Sequence, residues 1–532
     1  MKQKKIKTLD EAISVLGDRK IYELYERLVS LETTNLEDPK NECVIKNNYP
    51  AAAMAIKDFA ESEGFSAFIY DPTTDDEIPV TWSDTFPRPN VIIDYNPEAK
   101  HRLMIIAHYD VVPVPKEQAC RWTTPPNKLT FKDGLFYGRG SNDDIGSGVI
   151  SSLQALRVLR NEGITDLGVR MVAACDEETG GAGGLESMMK KHRVQVGRGE
   201  PGLLDADLVF LPDASPHVIA GSSGIIFCDC VVEDATRMES FLDFVKGMKG
   251  FHEEEVKIQS RYDSADWPEN NAPSPKITGR FTLTKFDWEG KNPGVSIRVH
   301  AETDSHNYIP GVVTVEIKGG VGHLKQWVEK LRSVHPIEIL TFSHEQLTFQ
   351  VIGKGGHGGS PHRAKNASEL LIPVLEELMG VVPGLTGKGS IGFDMRLIPE
   401  GSAGEAYLRL ERWFTAQKER HLPCARLISP EARRKQGYAI PLDDPDLGFL
   451  VGAVEAVTGE RPKIVGEYGG TDASSFRDLV NREGKPLRAL MYGSITSDSR
   501  PHDYDENADP LLIRRVTDII VWMAKNWDKR RA

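Results

Sequence analysis

From Gly64 to about Ala220 the chain alternates short apolar runs with amphipathic stretches. Leu103-Met104-Ile105-Ile106-Ala107 reads as a buried strand. So do residues 169–174, apolar except for Arg170, and the wholly apolar Leu208-Val209-Phe210-Leu211. Between the first two, Val149, Ile150, Leu153, Leu156 and Leu159 fall on one helical face. Near-continuous apolar strands separated by helices predict βαβ units and a mostly parallel sheet. Upstream, residues 9–64 keep helical spacing through Ala52, Met54, Ala55, Phe59 and Ala60, and Gly64 stops the pattern.

The period changes after Gly221-Ser222-Ser223-Gly224, a segment whose composition suggests a hinge. Ile297 and Val299, then Val313, Val315 and Ile317, then Leu347, Phe349 and Val351 alternate with polar residues, the pattern of half-exposed strands in an α+β domain. Residues 262–276 carry Trp267-Pro268 and Ala272-Pro273 and read as irregular. The first style then resumes. Asp444-Pro445 opens a helix, residues 487–491 form another apolar strand, and Asp509-Pro510 starts a last helix with the core stripe Leu512, Val516, Ile519, Ile520 and Met523. The expected organisation is an α/β domain in two parts, residues 1–224 and 436–532, interrupted by an α+β insertion over residues 225–435. For 532 residues, two or more domains of about 150 residues each are also what length alone predicts.

Composition narrows the class. Lys and Arg number 65 against 78 Asp and Glu, and the resulting charge of −13 disfavours a phosphate backbone as partner. No apolar run approaches the ~18 residues of a membrane helix, and the lysine-rich start is not followed by the apolar stretch of a secretory leader. Six cysteines without a C-x-x-C pair do not make a disulfide framework, and Cys228 and Cys230 read as buried strand residues. A cytoplasmic protein is expected.

The chemistry gathers at strand ends, where open α/β sheets build their sites. His108 follows the strand 103–107, with Asp110 two residues later; Asp176-Glu177-Glu178 follows 169–174; Asp213 follows 208–211; and His502 follows 487–491. Asp143-Asp144 lies in the turn Gly138-Arg139-Gly140-Ser141-Asn142 that leads into the helix of Val149. Two histidines among carboxylates suit zinc or a similar ion. The carboxylates exceed what one tetrahedral ion needs, whereas two ions sharing one carboxylate would use them all. Gly138-x-Gly140 lacks the Gly-Lys-Ser/Thr ending of a phosphate loop, and no Gly-x-Ser-x-Gly elbow anchors a serine hydrolase.

In this order the motifs resemble those of the co-catalytic zinc metallopeptidase family that includes acetylornithine deacetylase, succinyl-diaminopimelate desuccinylase, carboxypeptidase G and the bacterial dipeptidase V group. The resemblance runs through His108-Tyr109-Asp110, residues 138–144, Asp176-Glu177-Glu178, Gly356-His357-Gly358, Arg396, Gly469-Gly470-Thr471 and His502 with Glu506. Ile145 departs from the lysine common after the Asp pair. The long insertion and Asn307-Tyr308-Ile309-Pro310 are most similar to the dipeptidase V branch, in which an enlarged lid replaces that of a partner subunit.

The resemblance implies a parallel-sheet catalytic domain with an inserted lid, and two divalent ions, zinc before cobalt or manganese. Asp143 would bridge them, His108 and Asp213 would complete one ion's ligands, and Glu178 and His502 the other's. Asp110 would orient His108, Glu177 would act as general base on a metal-bridged hydroxide, and His357 would stabilise the oxyanion. Arg396, Asn307, Gly470 and Thr471 would hold the substrate, although Arg396 has Asp394 two residues away as an alternative partner. The implied activity is hydrolysis of dipeptides or small peptides with a free carboxylate, by a monomer rather than a homodimer, without nucleic acid or membrane. N-acyl-amino-acid deacylation shares every catalytic residue, and a non-catalytic metal or peptide binder would have no need of Glu177.

Overall fold

The computed structural model describes residues 6–34, 48–80, 86–114, 116–260, 279–290, 295–302, 308–357, 364–397, 402–429, 434–467, 471–481 and 484–531. Asn307, Gly470 and the stretch 262–276 lie outside them. Contacts gather the chain into two compact units: Met1–Gly221 with Tyr438–Gly466 and Thr471–Ala532, and Ser222–Gly437 with Glu467–Gly470.

The first unit is built on a nine-stranded sheet in the order Ser66–Tyr70, Asn90–Tyr95, Leu167–Ala174, His101–His108, Leu208–Leu211, Ala489–Met491, Val218–Ser222 and Tyr438–Ala439, with Ile464–Glu467 also paired to Val218–Ser222. The four strands from Leu167–Ala174 to Ala489–Met491 pair in parallel. Helices Ser151–Asn161 and Leu185–Gly197 provide the crossovers between the first three in chain order. The flanks differ from the sequence expectation of a mostly parallel sheet. Ser66–Tyr70, Asn90–Tyr95 and Val218–Ser222 run antiparallel to their described neighbours, so the sheet is mixed. For Val218–Ser222 the reason is length: residues 212–217 are too few for the crossover of a dozen or more residues that a parallel return requires.

The central strands are apolar because both faces are covered. Residues 208–211 are buried throughout, and all but the first residue of His101–His108 are buried. Helix Pro510–Lys525 starts from Asp509, whose side chain accepts the N–H of Leu511, and buries Leu512, Ile513, Val516, Ile519, Ile520 and Met523. Asp444 caps Pro445–Thr458 in the same way.

In the second unit a nine-stranded sheet runs Ile337–Phe342, Gln346–Ile352, Val312–Lys318, Ser296–Ala301, Gly279–Glu289, Thr386–Leu397, Gly224–Arg237 and Ala425–Ile428, with Arg434–Lys435 also on Gly224–Arg237. Its described pairings are all antiparallel. The alternating residues Ile297, Val299, Val313, Val315, Ile317, Leu347, Phe349 and Val351, with Cys228 and Cys230, enter one core with the apolar faces of four helices, Met238–Ser260, Lys325–Arg332, Ala367–Val381 and Ala403–His421. Residues 221–224, read as a hinge from composition, are the end of one strand and the start of the next. No helix among the described residues is long and apolar enough to cross a membrane.

Candidate metal centre

Parallel strands share polarity, so their carboxyl ends open on one side of the sheet. His108 is the last residue of its strand. Glu177 and Glu178 begin the short 3-10 turn that follows Leu167–Ala174. Asp213 lies two residues past Leu211, and His502 stands in the loop beyond Met491. Asp143 belongs to the turn before the π-helical segment Ile145–Ile150, which continues into Ser151–Asn161. Within that turn Gly140 has φ +78°, and a Cβ there would meet Val111 at 2.6 Å and Ile145 at 2.9 Å.

Five side chains converge. His108, Asp143 and Asp213 form one group, and Asp143, Glu178 and His502 a second; within each, the potential ligand atoms lie within 4.8 Å of one another. Asp143 belongs to both. Its Oδ1 lies 3.3 Å from His108 Nε2, and its Oδ2 lies 3.1 Å from His502 Nε2. Glu178 Oε1 is 3.0 Å from the same His502 nitrogen, and Asp213 Oδ2 is 3.9 Å from His108 Nε2.

Buried groups brace these ligands. Asp110 serves two of them. Its main-chain carbonyl faces His108 Nδ1 at 3.0 Å, while its carboxylate accepts the N–H groups of Glu177 and Glu178. The adjacent Asp176, in left-handed conformation, is paired with the buried Arg88 at 2.9 Å and accepts from Tyr49. Glu506 Oε1 accepts the N–H groups of Asn142 and Asp143, and its Oε2 pairs with Arg139 at 2.6 Å. The Asn142 side chain bonds to Ser494, Ser499 and Asn507, tying the Asp143 turn to the loop of His502. Ser147 Oγ donates to the carbonyl of Pro212, next to Asp213.

The electrostatics call for a cation. Burial pushes the His108 imidazole down, but the Asp110 and Asp143 carboxylates outweigh it and raise the group well above its usual value. His502 is likewise lowered by burial and raised further by Glu178 and Asp143. Burial, and then the charges of Asp143 and Asp144, push Asp213 well above the carboxylate range. Burial opposes ionisation of Asp143 too, yet the two imidazoles hold it far below that range. The carboxylates outnumber the two imidazoles, and divalent cations would offset that charge and relieve the repulsion felt by Asp213. The donor set of imidazole and carboxylate fits such ions. So does His108 Nε2, which is buried and makes no hydrogen bond, while the contact at Nδ1 fixes the tautomer that leaves Nε2 free to ligate.

The other sequence candidates are placed differently. Glu177 is half-buried beside Glu178, and its backbone is fixed by Asp110. His357 lies in the strand Gly356–His357, paired with Tyr308. Arg396 is buried and its Nε and Nη2 contact Asp394 at 2.7 and 2.8 Å, so the alternative partner read from the sequence is realised. Thr471 Oγ1 accepts from Ala473 N and donates to Met491 Sδ, capping the turn Asp472–Phe476. Sequence reasoning missed Arg88, Gln118 and Tyr49, which carry no motif, and gave Arg139 no role although it lies inside one.

Residues 104–526 match the model of Peptidase family M20/M25/M40, and the chain belongs to that family. The family implies a divalent metal, in accord with the donor set. A cysteinylglycine-S-conjugate dipeptidase of Corynebacterium striatum is 38% identical over 111 residues, 21% of this chain and 22% of the relative. A Beta-Ala-His dipeptidase of Rattus norvegicus is 28% identical over 161 residues, 30% of this chain and 31% of the relative. The matched stretches thus span less than a third of either relative. Among solved structures, human carnosine dipeptidase 1 superposes with a TM-score of 0.58 at 13% identity, covering 97% of this chain and all of that one. The M20 family metallo-carboxypeptidase Sso-CP2 from Sulfolobus solfataricus gives 0.56 at 13% identity, with 95% of this chain and 99% of that chain covered. At these identities the likeness shows the fold.

Proposed function

We propose that this chain is a dinuclear metal-dependent amide hydrolase, cleaving dipeptides or small peptides that carry a free carboxylate. One observation carries the reading. The two oxygens of Asp143 face two different histidines, His502 at 3.1 Å and His108 at 3.3 Å, each with a further carboxylate beside it. One carboxylate shared between two half-sites is the arrangement that two adjacent cations require. His108 and Asp213 would hold one ion, Glu178 and His502 the other, with zinc favoured over cobalt or manganese by the mixed nitrogen and oxygen donors. Bound there, divalent ions lower the pKa of a water and polarise a carbonyl.

Glu177 takes the proton from the attacking water and returns it to the leaving nitrogen. It suits that role because Asp110 holds its backbone beside Glu178, while Glu177 itself belongs to neither ligand group. His357 donates to the oxyanion, and Arg396, Asn307, Gly470 and Thr471 position the substrate carboxylate. The dipeptidases among the relatives support dipeptides as substrates. The buried thiols of Cys175, Cys228 and Cys230, which stand in no disulfide, fit a cytoplasmic setting, and the size of the second unit supports action as a monomer.

Purified protein loaded in turn with zinc, cobalt and manganese, and given dipeptides beside N-acetyl and N-succinyl amino acids, tests the reading. Dipeptides should be turned over faster. Preference for the acylated amino acids would make the chain a deacylase, and metal-dependent binding without turnover would make it a binder. Light scattering and specific activity across a dilution series test the monomer, and activity lost on dilution would count against it.

A further inference from the structure

The loop that carries His502 is held in an unfavourable backbone conformation. Arg500, His502 and Asp505 have φ values of 55°, 63° and 57°, a region that residues with a Cβ rarely occupy. Three such residues so close together persist only where surrounding contacts over-determine them. Those contacts come largely from one segment, residues 118–123. Gln118 Nε2 donates to the carbonyl of His502 at 3.1 Å. The N–H and hydroxyl of Thr123 both reach Asp505 Oδ1, at 2.7 and 3.1 Å. The guanidinium of Arg121 stacks on the ring of Tyr504 at 4.1 Å.

Gln118 does more than hold one carbonyl. Its Oε1 accepts from Arg139 Nη2 at 3.2 Å, and Arg139 Nη1 reaches Glu506 Oε2 at 2.6 Å. Glu506 in turn accepts the N–H groups of Asn142 and Asp143. Gln118, Arg139 and Glu506 are all buried. One hydrogen-bonded chain therefore runs from the main chain of His502 to the main chain of Asp143, and contacts those residues only through their backbones. Only one orientation of the Gln118 amide serves it, with oxygen towards the guanidinium and nitrogen towards the carbonyl. A carboxylate at position 118 would lose the donor and set a second acceptor against the His502 carbonyl.

We propose that Gln118 is a positioning residue for His502, and that Arg139 and Glu506 couple this position to that of Asp143. The role rests on the ligand set proposed above. Gln118 bonds directly to the His502 backbone, whereas the Arg139–Glu506 pair and its bonds to the N–H groups of Asn142 and Asp143 do not require it, so its loss should be felt at the ion held by Asp143, Glu178 and His502, and little at the ion of His108 and Asp213. A merely structural amide would show no such selectivity.

The test is metal titration of chelator-stripped full-length protein with Co²⁺ or Zn²⁺ against a chromophoric chelator, for wild type, Gln118→Ala and Gln118→Glu. Wild type should bind two equivalents. Both variants should keep one at wild-type affinity and weaken the other by about 10–100-fold, the usual effect of removing a partner that orients a ligand. Gln118→Met, of similar length, replaces the alanine variant if the latter does not fold. Two equivalents bound at unchanged affinity would overturn the proposal, and so would an equal weakening of both. Wild-type protein that takes up no second equivalent would overturn the ligand set itself, and the positioning role with it.

Discussion

The carboxylate of Asp110 accepts the backbone N–H of Glu177 at 3.1 Å through Oδ1, and that of Glu178 at 3.0 Å through Oδ2. His108 meets the main-chain carbonyl of Asp110 more closely, at 3.0 Å, than its carboxylate, at 3.4 Å. The resemblance implies that this carboxylate orients the imidazole. In the structure both the carbonyl and the carboxylate face Nδ1, and the carboxylate also fixes the turn bearing the proposed base and a proposed ligand. Asp110→Asn should therefore perturb that turn, because its amide nitrogen would face a backbone N–H. Metal affinity and kcat should each fall by about 10–100-fold. A variant with wild-type metal content and kcat would remove the carboxylate from this role.

Changing Glu177 to Ala should leave metal content near that of wild type, since Glu177 belongs to neither ligand group. Turnover should drop by about 10²–10⁴, the loss expected for a general base. Metal analysis and kcat on the same preparation decide the matter. Most of the activity surviving in metal-replete protein would rule Glu177 out.

The strand-end residues were legible because parallel topology dictates where loops converge. Apolar runs at residues 103–107 and 208–211 place His108 and Asp213 at strand ends without any knowledge of the fold. The bracing groups were not legible. Arg139 and Glu506 lie 367 positions apart and Gln118 and His502 lie 384 apart, and neither pairing leaves a periodic trace in the sequence. The mixed character of the sheet escaped for a similar reason. An antiparallel flanking strand that is buried on both faces, such as Asn90–Tyr95, has the same apolar composition as a parallel one. Arg396 and Asp394 stand two apart on one strand and so share a face, which made their pairing one of two readings that periodicity alone could not separate.

That pair allows a direct test of substrate binding. Replacing Asp394 by Ala would leave a buried guanidinium without its carboxylate, and should cost about 3–5 kcal/mol in chemical unfolding. If Arg396 also receives the substrate, Arg396→Lys should raise KM at least ten-fold for a dipeptide with a free carboxylate. The same change should matter less for the dipeptide amide, because lysine keeps the charge and loses the fork. An equal KM effect on both substrates would confine Arg396 to a structural role.

Acid sensitivity should depend partly on Glu63. This residue is buried, and Arg157, Arg160 and Lys20 surround its carboxylate. Burial pushes the group up, but the basic side chains outweigh it and leave it below its usual 4.5. A depressed pKa in the folded state means that the unfolded chain takes up the proton first. The resulting stability is fully present above about pH 4.5 and is lost as pH falls through the folded value. The difference in unfolding free energy between wild type and Glu63→Gln should be largest near neutral pH and shrink below about pH 4.5. A difference that stays constant across that range would show that charge at Glu63 contributes nothing.

Asp143 provides the sharpest test of the two-ion reading. Each of its oxygens faces a separate histidine, so its removal takes a donor from both half-sites. It also removes the negative charge lying between the two cations. Unit charges 4 Å apart interact by about 4 kcal/mol at an effective dielectric of 20, and divalent ions repel more strongly. Asp143→Ala should therefore weaken both equivalents together. Asp213→Ala, which touches only the His108 group, should weaken one. Equilibrium dialysis with elemental analysis separates these patterns. Two equivalents bound tightly by Asp143→Ala would exclude the bridge, and a single equivalent lost would assign Asp143 to one ion alone.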